Sequence, residues 1–219
     1  MTAASASFQL NEEFSQSTLV ISEIKKFKEL RNLNKKYNGL CEIICNYILI
    51  TEILNKGNGL LNKGNIKTAV TIQSLNCEII LKSHCLNVYS IFERVALFSG
   101  RGGSECVFSF AAKSKSFGTP EFDMLSVKLT AFNVGKIFKV LVYQKFGPMF
   151  LRGHSMLLMK SKNNKFVFFN PNAGLYWTLS PDGLRNLLIS CCFGYSNLLV
   201  LDGDRYFLKL ISRNLSLFP

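Results

Sequence analysis

GHSMLLMKSKNNKFVFFNPNAG, residues 153–174, decides how the rest of the chain is read. Two short apolar runs flank a basic, asparagine-rich turn. Apolar runs of strand length bounded by turn residues predict a β-hairpin. With the turn at Lys162–Asn164, the start of one strand faces the end of the other. His154 opens the first strand and Asn170 closes the second, 16 residues later. The two are therefore expected to be cross-strand neighbours. An amide oxygen there can accept an imidazole N–H, fix the tautomer and aim the other ring nitrogen at a thiol. Taken alone, such a pair is more often incidental than catalytic, so the thiol has to be found elsewhere.

Cys41 is the thiol with the right context. It follows Asn38-Gly39-Leu40 and heads an apolar stretch, with Ile43, Ile44, Tyr47, Ile48 and Ile50, that predicts a buried helix to about Leu54. Amide donors and the positive end of the helix dipole at that position are expected to stabilise a thiolate. A thiolate is the nucleophile that cysteine catalysis needs. Gly39 leaves room for a substrate backbone. Cys45 lies one helical turn on, which alone reads as a second buried thiol. The other histidine, His84, stands with Cys77 and Cys85, but no fourth ligand has zinc-like spacing. No metal and no cofactor are expected.

The remaining chain reads as helices first, then strands. Residues 1–20 are rich in Ser, Thr, Ala, Asn and Gln and read as a mobile leader; 21–219 read as a single domain. Ser22 is placed to cap a helix to about Tyr37, with Lys25, Lys26, Lys28, Arg31, Lys35 and Lys36 on its polar face. Residues 55–65 form a loop with two copies of LNKGN, and 66–98 read as mostly helical. SGRGGSE at 99–105 lacks the Gly-Lys-Ser/Thr ending of a phosphate-cradling loop. Strand-length runs follow at 106–111, 137–145, 154–160, 165–170 and 197–201, with a helix over 119–132. Ser180-Pro181-Asp182 predicts a helix start with serine as cap and proline at its first position. Asp202-Gly203 predicts a hairpin turn from 197–201 into a strand over 205–211. Helices followed by a mainly antiparallel sheet make the expected class α+β.

Composition limits the function. The 219 residues carry 26 basic and 14 acidic side chains, a net charge of +12. That balance favours an anionic partner, and the 25–36 face suits an anionic membrane surface. No nucleic-acid recognition motif accompanies it, so no specific nucleic acid is expected. Seven cysteines, an odd number in a chain long enough for a core, read as reduced thiols. Neither a signal peptide nor an apolar run of membrane-spanning length is visible.

Asn38-Gly39-Leu40-Cys41 resembles the nucleophile segment of the YopT-like cysteine peptidases, which include AvrPphB-type bacterial effectors. Gly153-His154, followed by Phe168-Phe169-Asn170-Pro171-Asn172-Ala173-Gly174, is similar to their histidine strand and the FFDPNFG-like stretch after it. The order Cys, His, acid or amide also agrees. The resemblance implies a papain-like fold with a Cys41–His154–Asn170 triad. It further implies a monomeric thiol protease, secreted by a bacterium into the host cell cytosol, that cleaves a host protein. The leader would then be a type III secretion signal. The family usually has aspartate where this chain has Asn170, although papain-type enzymes use asparagine in that role. It also places an oxyanion-holding polar side chain shortly before the cysteine, where this chain has Asn34, Lys36 and Asn38. The rival expectation is a non-catalytic basic effector that docks on a membrane or an acidic partner. Deamidation or acyl transfer on the same three residues is the third.

Overall fold

The computed structural model describes residues 8–18, 41–56, 58–59, 61, 66, 104–111, 118–146, 149–161 and 163–215. The expected helix over 22–37, the stretch 66–98 apart from Ile66, with Cys77, His84 and Cys85, and most of 99–105 lie outside the described residues. So do Asn34, Lys36 and Asn38.

Seven strands form one sheet, every neighbouring pair antiparallel, in the order β1-β6-β5-β4-β3-β7-β2. They are β1 (Gln9–Glu12), β2 (Cys106–Ala111), β3 (Ile137–Phe146), β4 (Met149–Lys160), β5 (Phe166–Asn170), β6 (Gly174–Thr178) and β7 (Asn197–Asp202). The helices are α1 (Cys41–Leu54), α2 (Thr119–Thr130), α3 (Pro181–Cys192) and α4 (Gly203–Leu215). The expected α+β class, with the cysteine on a helix and His154 and Asn170 on the sheet, is what is found.

Strand alternation builds the layers, because successive side chains point to opposite faces. Ile137, Leu141, Leu157, Met159, Phe169, Leu199 and Leu201 face α1 and Tyr206 of α4. Phe138, Val140, Met156, Leu158, Phe168 and Val200 face Phe122, Leu125 and Leu129 of α2 and Leu184, Leu187 and Leu188 of α3. Both faces of the sheet are covered. This explains why its central strands read as nearly continuous apolar runs.

Helix α1 forms over the expected span. Fourteen residues pass without Gly or Pro, and Glu42 in the first turn suits the dipole. α3 starts as expected: Ser180 Oγ accepts from the Gly183 amide at 2.9 Å, with proline in the first turn. The β4–β5 turn also falls in the expected place, with Asn164 N donating to Ser161 O (3.0 Å) and Asn164 left-handed at φ 56°. Two strands have no counterpart in the sequence reading. One is β6. The other is β1, inside the stretch read as a leader, where Phe14 is also buried and meets Phe169 edge-on at 5.3 Å.

Asp202-Gly203 does not turn a hairpin, and 205–211 is not a strand. The aspartate instead caps α4: its Oδ1 accepts from the amides of Asp204 (3.1 Å) and Arg205 (3.2 Å). The dipeptide is ambiguous because the same short acceptor serves a hairpin turn and a helix's first turn. Close packing decides between them. A Cβ on Gly203 would lie 2.8 Å from the Ile137 carbonyl, so α4 starts directly against β3. One turn on, Tyr206 is fully buried against α1. Replacing Asp202 by alanine is expected to lower the unfolding free energy by about 1–2 kcal/mol, the range for a lost cap. Urea denaturation measures it; a change of only a few tenths would show that the cap does not hold the helix.

Candidate active site

β4 is much longer than its neighbour β5, 12 residues against 5. Leu157 pairs with Phe169 and Leu158 with Phe168. One step further in that register sets Asn170 opposite Met156. His154 is therefore diagonal to Asn170, two residues beyond the facing position expected from the sequence. The pairing is that of a hairpin symmetric about residue 163, in which 170 faces 156 and not 154. A diagonal pair is still within reach of long side chains. His154 Nε2 lies 2.8 Å from Asn170 Oδ1, and both residues are buried.

The turn after β5 fixes the proton on that bond. The Asn172 amide also donates to Asn170 Oδ1, at 2.9 Å. This local turn orients the Asn170 side chain with oxygen toward the histidine. An oxygen can only accept, so Nε2 carries the proton and Nδ1 keeps its lone pair. The turn itself is held from the N-terminal side. Gln16 N donates to Pro171 O at 2.7 Å, and Gln16 Nε2 donates to Asn172 Oδ1. Gly174 closes the turn with φ +131°, and a Cβ there would collide with the Glu12 carbonyl of β1 at 2.2 Å. The glycine of the Phe-Phe-x-Pro-Asn-x-Gly stretch is thus where β1 meets the turn after Asn170.

Beyond Asn170, no strand among the described residues pairs with β4 on that side. The start of α1 lies there. Cys45 Sγ donates to the Ser155 carbonyl at 3.3 Å, and the Ser155 backbone also hydrogen-bonds the Cys41 sulfur. The structure thus brings His154 and Asn170 into contact and sets Cys41 against the residue that follows His154. Among the described residues no hydrogen bond joins the Cys41 thiol to the His154 ring.

Burial governs both ionisable groups. It pushes the Cys41 thiol up to about 11, from an ordinary 9.0. The Ser155 backbone and the nearby Lys139 ammonium lower it, and the Glu42 carboxylate raises it. Cys45 is pushed up to about 12, again mainly by burial. For His154, burial lowers the ring below its ordinary 6.5; the Asn170 bond opposes this and Lys139 adds to it. The thiolate expected from the helix start is therefore outweighed by desolvation. The resting site holds a neutral thiol and a neutral imidazole.

Sequence reasoning missed a polar cluster beneath Cys41: Glu42 and Asn46 of α1, Lys139 of β3 and Tyr206 of α4. The signal was present, because Lys139 alternates with Ile137, Leu141 and Tyr143 on a strand face that should be wholly apolar. At the rim, Arg152 precedes His154 by two residues. Its guanidinium bonds Gln144 Oε1 (2.9 Å) and Gly194 O and lies 5.0 Å from the Tyr195 ring. Among the described residues no group of three or more His, Cys, Asp or Glu could hold a metal. No described helix is long and apolar enough to cross a membrane.

No family model and no curated protein matches the chain. A similar solved structure is PatoxP, a cysteine protease-like domain of the Photorhabdus asymbiotica toxin PaTox. It is 14% identical, with a TM-score of 0.34, and the match covers 85% of this chain and 62% of that one. The chain thus spans less than two thirds of that structure. A likeness this weak assigns neither family nor activity, and the YopT-like resemblance rests on its motif residues.

The titrations fix a stability window. His154 has a folded pKa below its unfolded value, so its contribution is complete above about 6.5 and is lost as pH falls. The Cys41 and Cys45 thiols are raised, so theirs is complete below 9.0 and is lost as pH rises toward 11–12. The thermal midpoint is expected to be flat between about 6.5 and 9 and to fall on both sides. In His154→Gln the acid limb should become shallower; an unchanged acid limb would show that His154 is not buried neutral.

Proposed function

We propose that this chain is a papain-like thiol hydrolase, a cysteine-type endopeptidase acting through Cys41, His154 and Asn170. The observation that carries the reading is the His154 Nε2–Asn170 Oδ1 bond with its oxygen fixed by the Asn172 amide. It leaves Nδ1 as the basic nitrogen, on a residue whose neighbour Ser155 touches the Cys41 sulfur. Asn170 orients the ring. A substrate carbonyl at the helix start is attacked by Cys41 Sγ while His154 Nδ1 takes the thiol proton; the imidazolium then protonates the leaving amine. Because both groups rest neutral, proton transfer accompanies attack instead of preceding it. That requires the thiol and the ring to come together at the moment of attack. Hydrolysis of the thioester by water, with His154 as base, returns the free enzyme.

The substrate is a host protein and the chain an effector secreted by a bacterium into the host cell cytosol, where it acts as a monomer. These elements rest on the YopT-like motif residues alone. Deamidation and acyl transfer use the same three roles and differ only in the amide attacked and the acceptor. One observation favours a non-catalytic reading: a thiol pushed up to about 11 by burial is a weak nucleophile unless a base reaches it. In that case the +12 charge is the working feature, and the basic 25–36 segment docks on an anionic surface.

A peptide vinyl sulfone library, read by mass spectrometry, separates these readings. Labelling is expected at Cys41 in the wild-type chain. It should fall by about 100-fold or more in His154→Ala and by about tenfold or more in Asn170→Ala. Asn170→Asp should retain it. Labelling spread over the other thiols, or equal in His154→Ala, would leave the basic docking protein.

A further inference from the structure

Lys139 lies in the middle of β3, fully buried, on the sheet face that packs against α1. Its Nζ is 2.7 Å from Asn46 Oδ1 and 3.1 Å from Glu42 Oε2. The other Glu42 oxygen accepts from the Tyr206 hydroxyl of α4 at 2.9 Å and from Asn46 Nδ2 at 3.2 Å. The Tyr206 ring lies 5.6 Å below the ammonium. A cation and an anion removed from water cost more than the apolar residues that would fill the same space. Adhesion alone does not call for them. All their bonds converge on the first two turns of α1, and the anion is the residue next to Cys41.

We propose that Lys139 and Glu42 are an opposed pair of positioning residues for Cys41: together they hold the start of α1 at the Ser155 peptide, and the balance of their charges sets how readily Cys41 ionises. This rests on Cys41 as the nucleophile. The ammonium favours a thiolate at Cys41 and the carboxylate opposes it. The same ammonium disfavours an imidazolium at His154. Among the described residues, the other groups that bear on Cys41 are Cys45 on its own helix, Ser155 on β4 and Tyr195 before β7. Among the described residues, the charged groups that bear on Cys41 are Lys139 and Glu42. An unopposed carboxylate would silence the thiol. An unopposed ammonium would make it easier to ionise.

The test is the rate of Cys41 alkylation by iodoacetamide in the full chain, followed from pH 6 to 11 by mass spectrometry. Glu42→Gln is expected to raise the rate at pH 8 by about tenfold, and Lys139→Met to lower it by about tenfold. Tenfold is one pH unit of thiol acidity. The double variant should return close to wild type. Tyr206→Phe breaks a hydrogen bond of the cluster without changing a charge, and should leave the profile where it was. Shifts of the same sign in both single variants, or a shift in Tyr206→Phe as large as theirs, would mean that the cluster only packs the helix. Should Lys139→Met fail to fold, Glu42→Gln against Tyr206→Phe decides the matter in the same way. Alkylation needs no substrate, so the two readings fail separately. Opposite shifts without peptide electrophile labelling would sink the peptidase and keep the pair. Labelling without opposite shifts would do the reverse.

Discussion

A buried strand cannot leave its peptide groups without partners, and β4 outruns β5. Up to Asn170 the two strands satisfy each other; beyond it no strand among the described residues pairs with β4 on that side. An orphaned buried carbonyl costs as much as a lost hydrogen bond. Here the Ser155 carbonyl is met by the Cys45 thiol of α1 instead of a strand. That one substitution fixes where α1 begins relative to the sheet. The same strand end releases Asn170 into a turn, where its side chain bonds His154 and its own downstream amide. The strand-length mismatch therefore creates both the space for the start of α1 and the turn whose side chain bonds His154.

Electrostatics then works against the obvious expectation. The start of a helix favours a thiolate, but the interaction is worth about 0.3–1 kcal/mol at exposed sites and at most about 2 when partly buried. Complete desolvation of a thiolate outweighs it, and Cys41 is held as a thiol. His154 is held neutral for the same reason. The ion pair of Lys139 and Glu42 is the exception, charged and dry. It is tolerated because each charge meets the other and Asn46 and Tyr206 complete the polar contacts. Removing one partner of such a pair costs about 3–5 kcal/mol. It is therefore a rigid feature, while the proton on Cys41 is the adjustable one.

Much of this was legible in the residues. Apolar runs and turn signals placed β2, β3, β4, β5 and β7, and the Ser-Pro and Asn-Gly-Leu-Cys signals placed α3 and α1. The His154–Asn170 contact followed from hairpin geometry. Its diagonal offset follows from the same geometry, because a hairpin centred on residue 163 sets Asn170 opposite Met156, two residues from His154. β6 was missed because GLYWT follows the turn immediately and its alternation is short. β1 was missed because QLNE is polar; it earns its place at the sheet edge by backbone bonding, which leaves no trace in composition. Asp202-Gly203 misled because a cap and a hairpin turn share one chemistry. Lys139 needed the period-two reading of its strand to be taken literally. The +12 charge names no partner by itself.

The central claim is that His154 is the base for Cys41. The measurement closest to it is the rate of Cys41 alkylation by iodoacetamide at pH 7 in wild type and in His154→Ala, with Cys106 and Cys191 as internal references. The account predicts a wild-type Cys41 at least about tenfold faster than in the variant, with the reference thiols unchanged. Equal rates in the two proteins, rising only as pH approaches the raised thiol value near 11, would contradict it.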